Sequence, residues 1–175
     1  HFGYRRQRQM CIRDRCFNGA YGPSYLEIPR DILDAEIPVE KAVIPKAGSY
    51  RSSTKSIGDP ADIERLADIL VASERPAVLF GQQVWASGSH TSAIEFIRSL
   101  DIPAYMNGAS RGMLPETDPH HFDRTRSDAF KEADVILIVG TPFDFRMGYG
   151  RRISNAATLV PVSYTHLTLP TIAEV

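Results

Sequence analysis

The chain has 175 residues, 43% of them hydrophobic, and a net charge of −1. That composition is ordinary for a globular domain, and the near-zero charge gives no ground for a polyanionic partner. No apolar run approaches a membrane span, and cysteine is too scarce for a disulfide framework or a thiol metal site.

The two ends share an origin. One permitted set of codons for Arg5 to Arg15, RRQRQMCIRDR, read on the opposite strand in a shifted frame, translates as VSYTHLTLPT, which is Val162 to Thr171. Such a pair is one DNA sequence read in both directions. It resembles the transposase adapter used to build sequencing libraries, so 1–15 and 162–175 are set aside as non-native. The basic cluster Arg5, Arg6, Arg8, Arg13 and Arg15 goes with them, and with it any nucleic-acid reading. Neither natural terminus is expected within the chain, and cytoplasm is the default compartment.

In Gly22 to Arg30, GPSYLEIPR, a short strand is predicted over Tyr25 to Ile28, stopped by Pro29. Asp31 to Gly58 holds Pro38, Pro45, Gly48 and the run RSSTKS, without helical or strand period, and reads as an interdomain linker. Asp59-Pro60 is an N-cap followed by proline at the first helical position. Ile63, Leu66, Ala67, Ile69 and Leu70 mark the apolar face of that helix, which runs to about Ser73. Ala77 to Phe80 is a buried strand ending at Gly81, and Gln82 to Gly88 reads as a loop. Ser89 to Leu100 is a second helix with Ala93, Ile94, Phe96, Ile97 and Leu100 on its apolar side. Ala104 to Met106 is a short strand, and the loop Asn107 to Pro119 carries Gly108, Arg111, Gly112 and Pro115. Thr125 to Ala133 is a third helix, with Ala129, Phe130 and Ala133 apolar.

Val135 to Val139 is the most strongly marked strand. Its unbroken β-branched run predicts burial on both faces. Gly140 ends it, and Asp144 and Arg146 follow in the loop at its carboxyl end. Arg151 to Ala157 reads as irregular or a short helix, and Thr158 to Val160 as a further strand. Alternation of strands and helices with short loops predicts an α/β fold, a Rossmann-like open parallel sheet with helices on both faces. The glycine-containing loops then share the carboxyl edge, where such sheets take their ligands.

GPSYLEIPRDIL, a linker, a helix with RPAVLFG, then ASRGMLP and ADVILIVGTPFDFRMGYG: this order resembles the thiamine diphosphate enzymes of the acetolactate synthase group. ASRGML and GTPFDFRMGYGR are most similar to acetolactate synthase-like proteins that overlap the 2-hydroxyacyl-CoA lyases. The resemblance implies that 16–30 is the tail of a pyrimidine-binding domain, 31–58 the linker and 59–161 a truncated central domain. It implies a parent that decarboxylates a 2-oxo acid and joins the product to another, or a lyase acting on an acyl-CoA. Thiamine diphosphate and Mg2+ belong to that parent, with sites outside this chain. A third reading is a non-catalytic nucleotide-binding scaffold. Partners implied are a small-molecule substrate and a second copy, as homodimer or homotetramer, with no nucleic acid and no membrane.

In the family the central domain binds FAD or a CoA- or ADP-type nucleotide. The residues here that match the family's contact motifs are Gly81, Ser110, Arg111, Gly112, Gly140, Asp144 and Arg146. The glycines are expected to admit a pyrophosphate, and Arg146 to supply a forked cation. Two departures weaken a flavin site: Gln82 and Gln83 replace a glycine run, and Pro142 replaces an arginine. The family's proton-relaying glutamate and its metal-diphosphate motif are not found, so no catalytic residue and no metal ligand is assigned. From the residues alone, Asp144 and Arg146 also fit a mutual surface pair. His120 and His121 beside Asp123 fit a structural role better than a metal site, because adjacent loop side chains seldom converge on one ion. Asp62, Glu64 and Asp68 read as a solvated helix face.

Overall fold

A computed structural model of the chain describes residues 16, 22–42, 44, 46 and 57–162. The adapter reading therefore falls outside the described residues except at Val162, and much of the linker does too. The chain divides into two compact units, His1–Ile57 and Gly58–Val175.

In the first unit the strand predicted over Tyr25 to Ile28 is not formed. Those residues hold no regular structure and are exposed, Tyr25 to 79%. No partner strand reaches them among the described residues, and an unpaired four-residue strand has no ladder to hold it. One helical turn, α1 (Arg30–Leu33), and a 3-10 turn at Val39–Lys41 follow.

The second unit is an α/β domain. Asp59 caps α2 (Pro60–Ala72), its carboxylate accepting the Ala61 N–H at 2.9 Å. Then come β1 (Pro76–Phe80), α3 (Gln82–Ala86), α4 (His90–Leu100), β2 (Ala104–Met106), β3 (His121–Phe122), α5 (Arg126–Glu132), β4 (Val135–Val139) and β5 (Thr158–Val162). The five strands form one sheet in the order β3-β2-β1-β4-β5, every pair parallel. The predicted open parallel sheet is thus the observed one.

Both faces are covered, as the period of two requires. Val78 and Phe80 point to a core shared with Leu70 of α2, Val84 of α3 and Ala93 and Ile97 of α4. Ala77 and Leu79 point to the other, filled by Phe130 of α5 with Ile136 and Ile138. The apolar stripe of α2 is narrower than predicted. Leu66, Ile69 and Leu70 pack on the sheet, whereas Ile63 is half exposed and Ala67 exposed.

Three elements depart from the sequence reading. Gln82 to Ala86, predicted as loop, is helical. Its single turn lies below the length at which an isolated helix holds, and burial of Val84 fixes it. His121–Phe122 is a two-residue edge strand recruited by β2. Phe145–Gly150 winds as 3-10 turns broken at Gly148 and Tyr149, both left-handed.

Candidate functional site

Parallel strands place all their carboxyl ends on one edge. The loops after β1, β2 and β4 meet there, and the order reverses between β1 and β4, which makes that junction the topological switch point.

Gly81 and Gly140 face each other across the junction. The Gly81 N–H donates to Val139 O at 2.7 Å, and the Gln83 N–H donates to Gly140 O at 3.2 Å. A Cβ on Gly81 would collide with Thr141 Oγ1 and the Gly140 carbonyl, whose carbon would lie 2.6 Å away. A Cβ on Gly140, at φ +69°, would lie 2.8 Å from the Gln83 Cβ. The space that each missing side chain opens is therefore filled by protein. The sequence reading gave these glycines a ligand-facing reason; the geometry gives them a chain-to-chain one.

Ser110 is fully buried, and its hydroxyl donates to the Gly81 carbonyl at 2.5 Å. It belongs to the 3-10 turn Gly108–Ser110, which packs on α3. Arg111 and Gly112 follow directly and are exposed, with open space around Gly112. Gly81, Gly140 and Ser110 thus form a closed floor, and Arg111 with Gly112 sits at the neighbouring rim.

Asp144 and Arg146 close on one another. One carboxylate oxygen accepts the Arg146 backbone N–H at 2.9 Å. The other accepts from Nε at 2.9 Å and from Nη2 at 2.5 Å. The guanidinium holds the Asp144 carboxyl below its usual range, and the carboxylate raises Arg146 in turn. The guanidinium also lies 5.8 Å from the centre of the exposed Phe145 ring.

Sequence reasoning missed Thr141. It is buried to 4% exposure against Gly81, and its hydroxyl has no hydrogen-bond partner among the described residues. Its signal was present: it is the first side chain after the most strongly marked strand. A shallow depression of about 560 Å³ lies at the opposite, amino-terminal edge, between Leu70, Pro76, Leu100, Ile102 and Ala133. None of the seven predicted residues lines it. Nearby, Asp134 accepts the Ser73 hydroxyl at 2.5 Å and the N–H groups of Glu74 and Arg75 at 2.7 and 3.0 Å, which lowers its pKa to about 2.

His120 is held structurally. Its Nδ1 and Nε2 each lie 2.9 Å from a carboxylate oxygen, of Asp118 and Asp101 respectively. No group of three or more His, Cys, Asp or Glu side chains is placed to hold a metal ion among the described residues. No described helix is long and apolar enough to cross a membrane.

Residues 63–171 match the family model described as thiamine pyrophosphate enzyme, central domain. The human 2-hydroxyacyl-CoA lyase 2 is 26% identical over 177 residues, covering 83% of this chain and 28% of that protein. An acetolactate synthase large subunit of Mycobacterium tuberculosis is 37% identical over 98 residues, covering 56% of this chain and 18% of that protein. This chain thus spans less than a third of the length of either relative. A thiamine diphosphate-dependent 4-hydroxybenzoylformate decarboxylase of Rhodococcus jostii superposes with a TM-score of 0.62 at 23% identity, over 86% of this chain and 30% of that one. That likeness is one of fold.

Proposed function

The chain belongs to the thiamine pyrophosphate enzyme central-domain family, and on that premise we propose that it is part of an acetolactate synthase-like enzyme. The enzyme decarboxylates a 2-oxo acid such as pyruvate and joins the two-carbon unit to a second 2-oxo acid. The observation that carries the reading is that the family match, 63–171, spans the five-stranded sheet from within α2 through β5.

Within that enzyme we give this domain a positioning role, as part of a homodimer or homotetramer. Thiamine diphosphate, when bound, supplies the carbanion chemistry. We place thiamine diphosphate and Mg2+ outside this chain, as the family resemblance implies, and assign no catalytic residue here. We assign to the carboxyl edge a CoA- or ADP-type nucleotide, with the edge built in two layers. Gly81, Ser110 and Gly140 are the floor, and Arg111, Gly112, Asp144 and Arg146 the rim. Arg111 and Arg146 suit phosphate oxygens, and Asp144 fixes the direction of the Arg146 fork.

A 2-hydroxyacyl-CoA lyase is the second reading. It is favoured by the greater share of this chain, 83%, that aligns with a protein of that name. The test is assay of the longer polypeptide carrying this domain, supplied with thiamine diphosphate and Mg2+. Acetolactate formed from pyruvate is the expected result. Cleavage of a 2-hydroxyacyl-CoA without it establishes the second reading, and neither activity leaves only a scaffold.

A further inference from the structure

In a dinucleotide-binding sheet the pyrophosphate rests at the switch point, on the N–H groups of the helix that follows the first strand. Here that helix is α3, one turn long, and the donors of its second and third residues are committed. The Gln83 N–H goes to the Gly140 carbonyl at 3.2 Å and the Val84 N–H to the Gly81 carbonyl at 3.1 Å. The Gly81 carbonyl is also bound by the buried Ser110 hydroxyl. Thr141 packs its side chain onto Gly81 and is itself almost wholly buried. A carbonyl oxygen from the β4 turn thus sits where a phosphate oxygen would have to sit.

We propose that the switch-point crevice is closed by the protein's own Gly140 carbonyl and Thr141 side chain, so that this domain holds no FAD pyrophosphate there. The flavin that the family resemblance offers as one of two alternatives does not fit these residues. Glutamines at 82 and 83 agree with this, because the segment is wound into α3 and tied to the β4 turn rather than left as an open glycine loop. The inference rests on reading the carboxyl edge as the ligand edge, and it leaves the rim at Arg111–Gly112 and Asp144–Arg146 open to a CoA- or ADP-type diphosphate bound away from the switch point.

The test is residue-resolved amide hydrogen exchange on the full 175-residue chain, alone and with saturating FAD, ADP or CoA. In the closed crevice the Gly81 and Gln83 amides are protected without ligand to the same degree as those of β1, and none of the three nucleotides changes them. Rapid exchange of either amide in the ligand-free chain overturns the proposal. So does an FAD-dependent change at 81–84 or 140–141. Changes confined to 111–112 and 144–146 support it together with the rim assignment. Protected amides with no response to any nucleotide support it and remove the rim assignment alone.

Discussion

Single residues at this edge act through excluded volume. Gly140→Ala forces a left-handed backbone and a 2.8 Å contact with the Gln83 Cβ, so a destabilisation of about 2 kcal/mol or more is expected, measured by urea unfolding. Charge matters more at the other edge. Asp118, nearly buried, receives Arg98 Nη2 at 2.8 Å, the His120 N–H at 3.0 Å and the His120 ring, and is held far below the ordinary 3.8. His120, bonded first by Asp118 and then by Asp101, is raised above 6.5. The lowered carboxylate stabilises above 3.8, an effect lost as pH falls through its folded value. The raised imidazole stabilises below 6.5, an effect lost as pH rises through its folded value. The cluster is therefore strongest between those two ordinary values. Thermal melts should show Tm falling as pH rises from that window into the mildly alkaline range, and His120→Gln should flatten that fall.

Elements were legible in proportion to how locally they are stabilised. The VILIV run of β4 and the Asp59-Pro60 start of α2 carry their own signals. Asp59→Ala removes the bond to the Ala61 N–H and should cost about 1 kcal/mol, read as a lower unfolding midpoint with an unchanged m-value. The short element α3 has no such local support. It is held by Val84 in the core and by the turn Gly108–Ser110 against it, so its residues read as loop. The two-residue β3 exists only through the pairing of Ala104 with His121 and Tyr105 with Phe122. The pair Asp144–Arg146 is one of the two alternatives its residues offer, and its closure through a single carboxylate oxygen is a local turn property.

For the whole molecule, the edge strand β5 is the hazard. Among the described residues β5 pairs with β4 alone, and its outer side offers unpaired donors and acceptors to another chain. Pro161 interrupts that row. Concentration-dependent association is expected in light scattering, and Val162→Lys, at a position 41% exposed, should reduce it without lowering Tm. Cooperative unfolding of a strictly monomeric species at high concentration contradicts this.

The sequence by itself determined the family, the parallel α/β alternation and the edge on which its loops gather, because hydrophobic period, caps and glycine punctuation are properties of neighbouring residues. Only the tertiary structure decided what those loops do to one another. Gly81 and Thr141 lie sixty positions apart, and that one fills the space beside the other follows from the register of β1 on β4. A glycine looks the same in a sequence whether a ligand or another part of the chain approaches it. The difference resides in which strand becomes its neighbour.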